Sequence, residues 1–383
     1  MKKVLVVHNK YQQLGGEDIA VENEIQFLKK HYEVRILYFE NEITAYFKQI
    51  LYFILNQNIG SAKILRATIE EFNPDLVYVH NTWFKASVSI FTILKKRKIP
   101  TLVKLHNFRY DCTRSIFISR HLNNTSKCLA CGLENKEKRY INFYFEDSIL
   151  KSILVFIYGR KYFRILRNSK EIKIAVLTEF HKSYLIKLGI SDDRIFVYPN
   201  YTEGENTHTN LKKKKQIVYA GRISKEKGVE ELITAFLKTS LNDYDLLIIG
   251  LGPHKKLLEE QYQYKNIKFL GQLPNNKVRD IIQESRAVVT ATKLYEGQPT
   301  LLCEASLMQV PSIFPDTGGV KEFFPKNTKY IFEQFNYEDL VSKLESLSNL
   351  NQAEKEGKKN YDFIKAKISV SKIKSNFDEI IKA

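Results

Sequence analysis

Short apolar runs recur along the chain, and most lead through a polar or glycine-containing turn into a stretch with helical period. In the first half the runs are Val4–Val7, Val34–Phe39, Pro74–Asn81, Thr101–Arg109, Ile172–Thr178 and Ile195–Asn200. In the second they are Gln216–Gly221, Asp245–Gly250, Ile267–Gly271, Ala287–Ala291 and Ser312–Pro315. The runs are continuous and rich in Val, Ile and Leu. That predicts strands buried on both faces, the pattern of parallel sheets. Between them, Ile19–Lys30 turns Val21, Ile25 and Leu28 to one side, and Ile64–Phe72, His181–Leu188, Val229–Leu237, Val278–Glu284 and Thr300–Met308 also read as helices. Gly189 ends the third of these as a C-cap. Helices near Tyr337–Leu347 and Asp362–Lys382 finish the chain. Strand–helix alternation of this kind is the α/β class with parallel sheets. Tyr201–Lys215 has no apolar period and ends in four lysines, so it marks a boundary. The expected organisation is a domain over 1–200, a linker over 201–215, a second domain over 216–365 and a closing helix over 366–383. No repeat of fixed short period is evident.

Length and charge sharpen this picture. At 383 residues and 44% hydrophobic the chain suits two globular cores. The net charge of +17 is uneven: residues 1–200 hold 32 Lys and Arg against 19 Asp and Glu, while the remainder holds 28 against 24. The first half therefore faces an anionic partner, either nucleic acid or an anionic membrane surface. Ala45–Leu55, apolar and aromatic with one lysine, reads as a core helix or as a surface helix meeting a lipid, and Phe143–Lys170, where rings alternate with bases, suits an anionic membrane interface, nucleic acid or a partly buried helix with a basic outer face. The opening apolar run is too short for a signal peptide, and no run approaches about 18 apolar residues. With four unevenly spaced cysteines, a reducing cytoplasm is expected. Cys128 and Cys131 have zinc-ligand spacing that Cys112 or His121 could complete, although the usual second pair is missing.

The chemistry-bearing residues follow strands. After Ala287–Ala291 comes Tyr295-Glu296-Gly297-Gln298-Pro299-Thr300-Leu301-Leu302-Cys303-Glu304. Gly297 breaks the chain, and Pro299 suits the first helical position because its missing N–H costs nothing there. The N–H groups near Thr300 and Leu301 form an anion site. Glu296 beside it and Glu304 two turns in could grip hydroxyls flanking that anion. A phosphate flanked by two polyols is a nucleotide-sugar. Arg222 and Lys227 lie in the glycine-bounded turn after Gln216–Gly221 and could converge on one diphosphate. Gly15-Gly16 lets backbone approach a ligand after the first strand, and His106 ends a strand in the first half, where α/β ligands bind.

The constellation Gly221-Arg222, Lys225 to Gly228, Glu296 to Glu304-Ala305 and Gly318-Gly319 to Glu322 resembles the family 4 (group 1) retaining glycosyltransferases of the GT-B fold. Gly15-Gly16 and His106-Asn107-Phe108-Arg109 are similar to the branch that builds capsule, exopolysaccharide or lipopolysaccharide in bacteria. The resemblance implies two Rossmann-like domains facing a central cleft, with the last helix returning to the first domain. It implies donor binding by Gly16, Arg222, Lys227, Gly271, Glu296, Gly297, Thr300, Leu301 and Glu304, with His106 and Glu296 at the transferred sugar. Main chain near Phe269–Gly271 would meet the base. No metal or other cofactor is implied, because cationic side chains neutralise the leaving diphosphate. No side chain is a convincing covalent nucleophile. The partners implied are a UDP- or GDP-sugar and a glycan or lipid-diphosphate-linked acceptor. The expected place is the cytoplasm, peripheral to the inner face of the cell membrane, a reading that rests on the basic first half and not on the motifs. A GT-B nucleotide-sugar 2-epimerase and a basic nucleic-acid-binding protein are the alternatives. The first lacks this Glu-x7-Glu pattern, and no recognition motif supports the second.

Overall fold

The computed structural model describes residues 1–10, 16–41, 51–52, 54–55, 57–113, 132, 148–202 and 213–382. Gly15, the linker positions 203–212 and Cys128, Cys131 and His121 lie outside the described residues, as do 45–50 and 143–147 of the two candidate lipid-facing stretches. The chain divides into two compact units: Met1–Tyr201 with Ile373–Ala383, and Thr202–Lys372.

Unit 1 is built on β1 (Lys3–Lys10), β2 (Glu33–Glu40), β3 (Leu76–Asn81), β4 (Thr101–Leu105), β5 (Ile172–Val176) and β6 (Ile195–Val197). They form one sheet in the order β2-β1-β3-β4-β5-β6, and the paired strands run parallel. Six consecutive residues of β1, Val4–Asn9, are buried. Only a strand covered on both faces needs that, which is why its sequence does not alternate. The fourth apolar run ends as a strand at Leu105, so His106 is the first residue beyond it. The helix Gly16–Lys29 buries Val21, Ile25 and Leu28 as its period requires, and also Asp18 and Glu24. The helix Ile149–Asn168 is capped by Ser148, whose Oγ accepts from the Lys151 amide at 3.3 Å. It packs Val155, Phe156 and Leu166 inward and leaves Ile149, Leu150 and Ile153 exposed. After the helix Glu179–Lys187, Gly189 takes a left-handed φ of 84° and returns its N–H to the Ile186 carbonyl.

Unit 2 is built on β7 (Gln216–Ala220), β8 (Asp245–Ile249), β9 (Ile267–Gly271), β10 (Ala287–Val289), β11 (Ser312–Pro315) and β12 (Ile331–Phe332). The order is β12-β11-β10-β7-β8-β9, again parallel throughout. The helix Val229–Leu237 starts at Gly228, carries Glu230 and Glu231 in its first turn, and buries Leu232, Ile233 and Phe236. Acidic residues at a helix start and an apolar stripe facing the sheet are what the sequence offered there.

The long helix expected over Asp362–Lys382 is two helices, Leu350–Lys367 and Val370–Lys382. Ser369 causes the break: its Oγ accepts from the Lys372 amide and caps the second helix. That helix buries Ile373, Phe377 and Ile380 in unit 1. The Phe377 ring lies 5.4 Å from those of Tyr32 and Tyr78, and Tyr32 donates its hydroxyl to Asp378 at 2.6 Å. No helix among the described residues is long and apolar enough to cross a membrane.

Candidate functional site

In unit 2 the chain lays β8 and β9 on one side of β7, then β10, β11 and β12 on the other. The loops after β7 and β10 therefore leave the sheet side by side at its switch point, where open α/β sheets bind ligands. These two loops are locked together. The one after β7 turns through the short 3-10 helix Lys225–Lys227 and closes at Gly228, at φ 68°, where a Cβ would stand 2.0 Å from the Ala291 carbonyl oxygen. Only glycine allows that approach. The Lys293 amide, from the loop after β10, donates to the Glu226 carbonyl at 2.9 Å.

Two expected residues meet across this junction. Lys227 Nζ lies 2.5 Å from Glu296 Oε1, and Thr292 Oγ1 donates to the same oxygen at 3.0 Å. Both partners of the pair are about 29% exposed, so the contact remains open to a ligand. The backbone of Glu296 is held from the far side by the loop after β11. Gly319 N–H donates to the Glu296 carbonyl at 2.8 Å, and Thr317 Oγ1 donates to the Leu294 carbonyl at 3.0 Å. Gly318, at φ 55°, sits so close that a Cβ would lie 2.5 Å from the Glu296 carbonyl oxygen. The Gly-Gly pair thus fixes where Glu296 points.

Pro299 is the N-cap of the helix Thr300–Leu307, not its first residue as the sequence suggested. Its ψ of 81° is not helical, and its carbonyl already accepts the first helical bond, from Cys303 at 2.9 Å. Proline has no side-chain oxygen with which to cap, so among the described residues the first-turn N–H groups at Thr300 and Leu301 have no side-chain acceptor. One turn further, Glu304 is 7% exposed, and burial pushes its carboxyl up to about 7 against the weak opposing pull of Arg279. Arg222 is exposed after β7, and among the described residues its guanidinium has no hydrogen-bond or ion-pair partner. Gly297 is half-buried between Glu296 and the helix. Gly271 ends β9, two strands from β7, at φ 68° with open space around its Cα.

Gly16 and His106 belong to unit 1, which brings them near each other at its own switch point between β1 and β3. Gly16 opens the helix after β1, and the next residue, Glu17, accepts from Asn107 Nδ2 at 3.1 Å. A small, partly open pocket lies here, lined by Glu17, His80, Trp83, His106, Arg109 and Tyr158 among others. His106 stacks on His80 with ring centres 5.3 Å apart, and its Nε2 lies 3.0 Å from His80 Nδ1. Burial first, and then the neighbouring charge of His106 or Lys104, pushes both imidazoles well below the usual histidine range.

Beneath the pocket lie groups that sequence reasoning did not single out. His8 Nε2 lies 2.8 Å from Asp18 Oδ1, with both side chains buried. Lys104 Nζ lies 2.8 Å from Glu24 Oε2 with both fully buried, and Tyr78 donates to the other Glu24 oxygen at 2.7 Å. The Lys104 ammonium also lies over the Tyr198 ring at 4.4 Å. One signal was available: a lysine inside the otherwise apolar Thr101–Leu105, buried on both faces, requires an acidic partner. Of the proposed zinc ligands only Cys112 is described, and it is half-buried.

Residues 200–366 match the family described as Glycosyl transferases group 1, a little under half of the chain, and form a domain of that family. The chain is 21% identical over 285 residues to the amylovoran biosynthesis glycosyltransferase AmsD of Erwinia amylovora, covering 71% of this chain and 76% of that protein. It is 26% identical over 188 residues to the capsular polysaccharide biosynthesis glycosyltransferase CapM of Staphylococcus aureus, covering 47% of each. The chain spans less than half the length of most curated relatives it matches. Among solved structures it superposes over its full length on Anabaena Alr3699/HepE in complex with UDP and glucose, with a TM-score of 0.67 at 13% identity. That likeness carries the fold: the two six-stranded parallel sheets are those of the GT-B architecture.

Proposed function

With a group 1 glycosyl transferase domain over residues 200–366 as the premise, we propose that the chain transfers a sugar from a nucleotide diphosphate to a glycan or lipid-linked glycan during synthesis of a bacterial surface polysaccharide, with retention of anomeric configuration. The observation that carries this reading is the arrangement at the unit 2 switch point. A lysine and a glutamate share one contact beside a helix start with no side-chain cap, and a second, buried glutamate lies a turn further on. In the proposed complex the diphosphate takes the Thr300 and Leu301 amides, the Lys227 ammonium and the free Arg222 guanidinium. Together these supply the positive charge that a departing nucleoside diphosphate needs, so a metal ion is not required. Glu296, steered by Gly318 and Gly319, accepts hydrogen bonds from the donor sugar. Glu304 accepts from the ribose diol, and main chain at Gly271 borders the base. Lys227 is shared between Glu296 and the leaving group, which ties sugar recognition to departure of the nucleotide. For His106 and Gly16 of unit 1 the proposed ligands are a sugar and a phosphate.

The basic face of unit 1 is proposed to dock on an anionic membrane. Leu55, Ile59, Ile149 and Leu150 are each more than half exposed, and Lys161 Nζ donates to the Leu55 carbonyl at 3.3 Å, so Leu55 lies against the basic helix. Lys151, Arg160, Arg164 and Arg167 are exposed on the same helix. Apolar side chains ringed by bases match the chemistry of an anionic lipid interface.

The transfer reading is tested by incubating the purified chain with UDP- and GDP-sugars and a lipid-diphosphate-linked acceptor, with and without EDTA. Expected are acceptor-dependent release of the nucleoside diphosphate unaffected by EDTA, and a product whose anomeric configuration matches the donor. Conversion of the donor with no acceptor present would count against transfer. The membrane reading fails if replacing Lys161, Arg164 and Arg167 with glutamate leaves binding to anionic liposomes unchanged.

A further inference from the structure

Three histidines of unit 1 gather at the switch point: His8 in β1, His80 in β3 and His106 just after β4, on adjacent strands. The hydrogen bond between His80 Nδ1 and His106 Nε2 can carry its proton in only two ways when both rings are neutral. If His106 donates from Nε2, then His80 accepts at Nδ1 and must hold its own proton on Nε2. If His80 donates from Nδ1, its Nε2 is a bare lone pair and the His106 proton sits on Nδ1.

The surroundings separate the two cases. His80 is 4% exposed, and its Nε2 is fully buried with no hydrogen-bond partner among the described residues. The first arrangement would therefore strand an N–H in the interior, which native structures rarely tolerate; an unmatched acceptor is the lesser penalty. His8 next door has a comparable setting. Its Nε2 faces the Asp18 carboxylate, which can only accept, and its Nδ1 is buried with no hydrogen-bond partner among the described residues. His106 has room for the proton the second arrangement assigns to it. It is half-buried, lines the pocket, and among the described residues no group pairs with its Nδ1.

We propose that His80 is a positioning residue that holds His106 in the Nδ1–H tautomer, so that His106 faces the pocket as a hydrogen-bond donor and is barred from acting as a base through Nε2. A donor there would meet a sugar hydroxyl oxygen or a developing negative charge, whereas a base would meet a hydroxyl proton. The role at the sugar rests on the transferase reading above; the tautomer does not.

The test is the long-range proton–nitrogen spectrum of the imidazoles in the full-length chain labelled with 15N-histidine, with no nucleotide or acceptor present, so it stands or falls independently of the transferase reading. His106 is expected to show a protonated Nδ1 and a bare Nε2 at neutral pH. His80→Asn, whose amide nitrogen replaces Nδ1, should keep that pattern. His80→Leu, which retains bulk but cannot donate, should move the His106 proton largely to Nε2. A wild-type His106 protonated on Nε2 overturns the proposal. So does an Asn variant that loses the Nδ1–H form, or a folded Leu variant that keeps it. If the Leu variant does not fold, the wild-type and Asn spectra still decide.

Discussion

Replacing Gly318 with alanine tests how Glu296 is aimed. A Cβ at this position would stand 2.5 Å from the Glu296 carbonyl oxygen and 2.7 Å from its amide nitrogen, whereas ordinary contact begins at about 3.4 Å. Both atoms are backbone and cannot rotate away, so the Glu296 loop must retreat by roughly 1 Å. The left-handed φ of 55° adds about 1 kcal/mol for any residue with a Cβ. With about 1–3 kcal/mol for the overlap, the variant should lose about 2–4 kcal/mol of stability. Gly271→Ala is the control: its φ is 68°, but nothing lies within 4 Å of the added carbon, so it should lose only about 1 kcal/mol. At about 2–4 °C per kcal/mol for a domain of this size, melting should fall by about 10 °C for the first variant and about 3 °C for the second. Turnover of Gly318→Ala should also fall against wild type, because a misplacement near 1 Å can cost about 100-fold in rate. Melting curves and nucleotide-sugar turnover below the melting range give both numbers. A Gly318→Ala protein that melts like Gly271→Ala and keeps wild-type turnover would refute the claim that the Gly-Gly pair positions Glu296.

Lys104→Met leaves the Glu24 carboxylate buried without its partner and should cost about 3–5 kcal/mol in urea unfolding. Adding Glu24→Gln, which still accepts from Tyr78, should recover most of that loss, and a double variant no more stable than the single would count against the pairing. The Glu304 carboxyl is raised from 4.5 to about 7, so the folded chain holds its proton more tightly than the unfolded one. That contribution is greatest below pH 4.5 and is lost as pH rises towards 7, by up to about 3 kcal/mol. Glu304→Gln should therefore gain stability over wild type at pH 8 but not at pH 4.5, and a difference independent of pH would contradict the assignment. If the ionised carboxylate accepts from a ribose diol, nucleotide-sugar affinity measured by calorimetry should rise by up to about tenfold between pH 6 and pH 8, with proton release at the lower pH.

Much of the fold was legible because parallel strands buried on both faces read as unbroken apolar runs. Ile267–Gly271, Ser312–Pro315 and the helix Val229–Leu237 fall where the sequence alone places them. β12 was not legible: it is only Ile331–Phe332, and it counts as a strand through its ladder to β11, not through any pattern of its own. The start of the helix Leu350–Lys367 was hidden because its first two turns are polar, although Asn349 caps it by accepting from the Gln352 amide at 3.1 Å. The positions of Glu296, Thr300 and Glu304 could be read because one strand, one turn and one helix set them, all within the sequence between residues 287 and 307. The contact between Lys227 and Glu296 could not be read, because it depends on β7 and β10 being neighbours across 69 residues of chain. The histidine cluster has the same cause. His8, His80 and His106 look unrelated along the chain and meet only through the strand order β1-β3-β4.

The most direct test of the central claim is a thermal-shift panel of the purified chain against UDP, GDP, dTDP and their sugars, repeated with Arg222→Ala and Glu304→Ala. The account predicts that one nucleotide series stabilises the wild type and that both variants lose the shift, because one residue neutralises the diphosphate and the other holds the ribose. Absence of a shift with every nucleotide, or a shift that survives both substitutions, would contradict a nucleotide-sugar site at the β7–β10 junction.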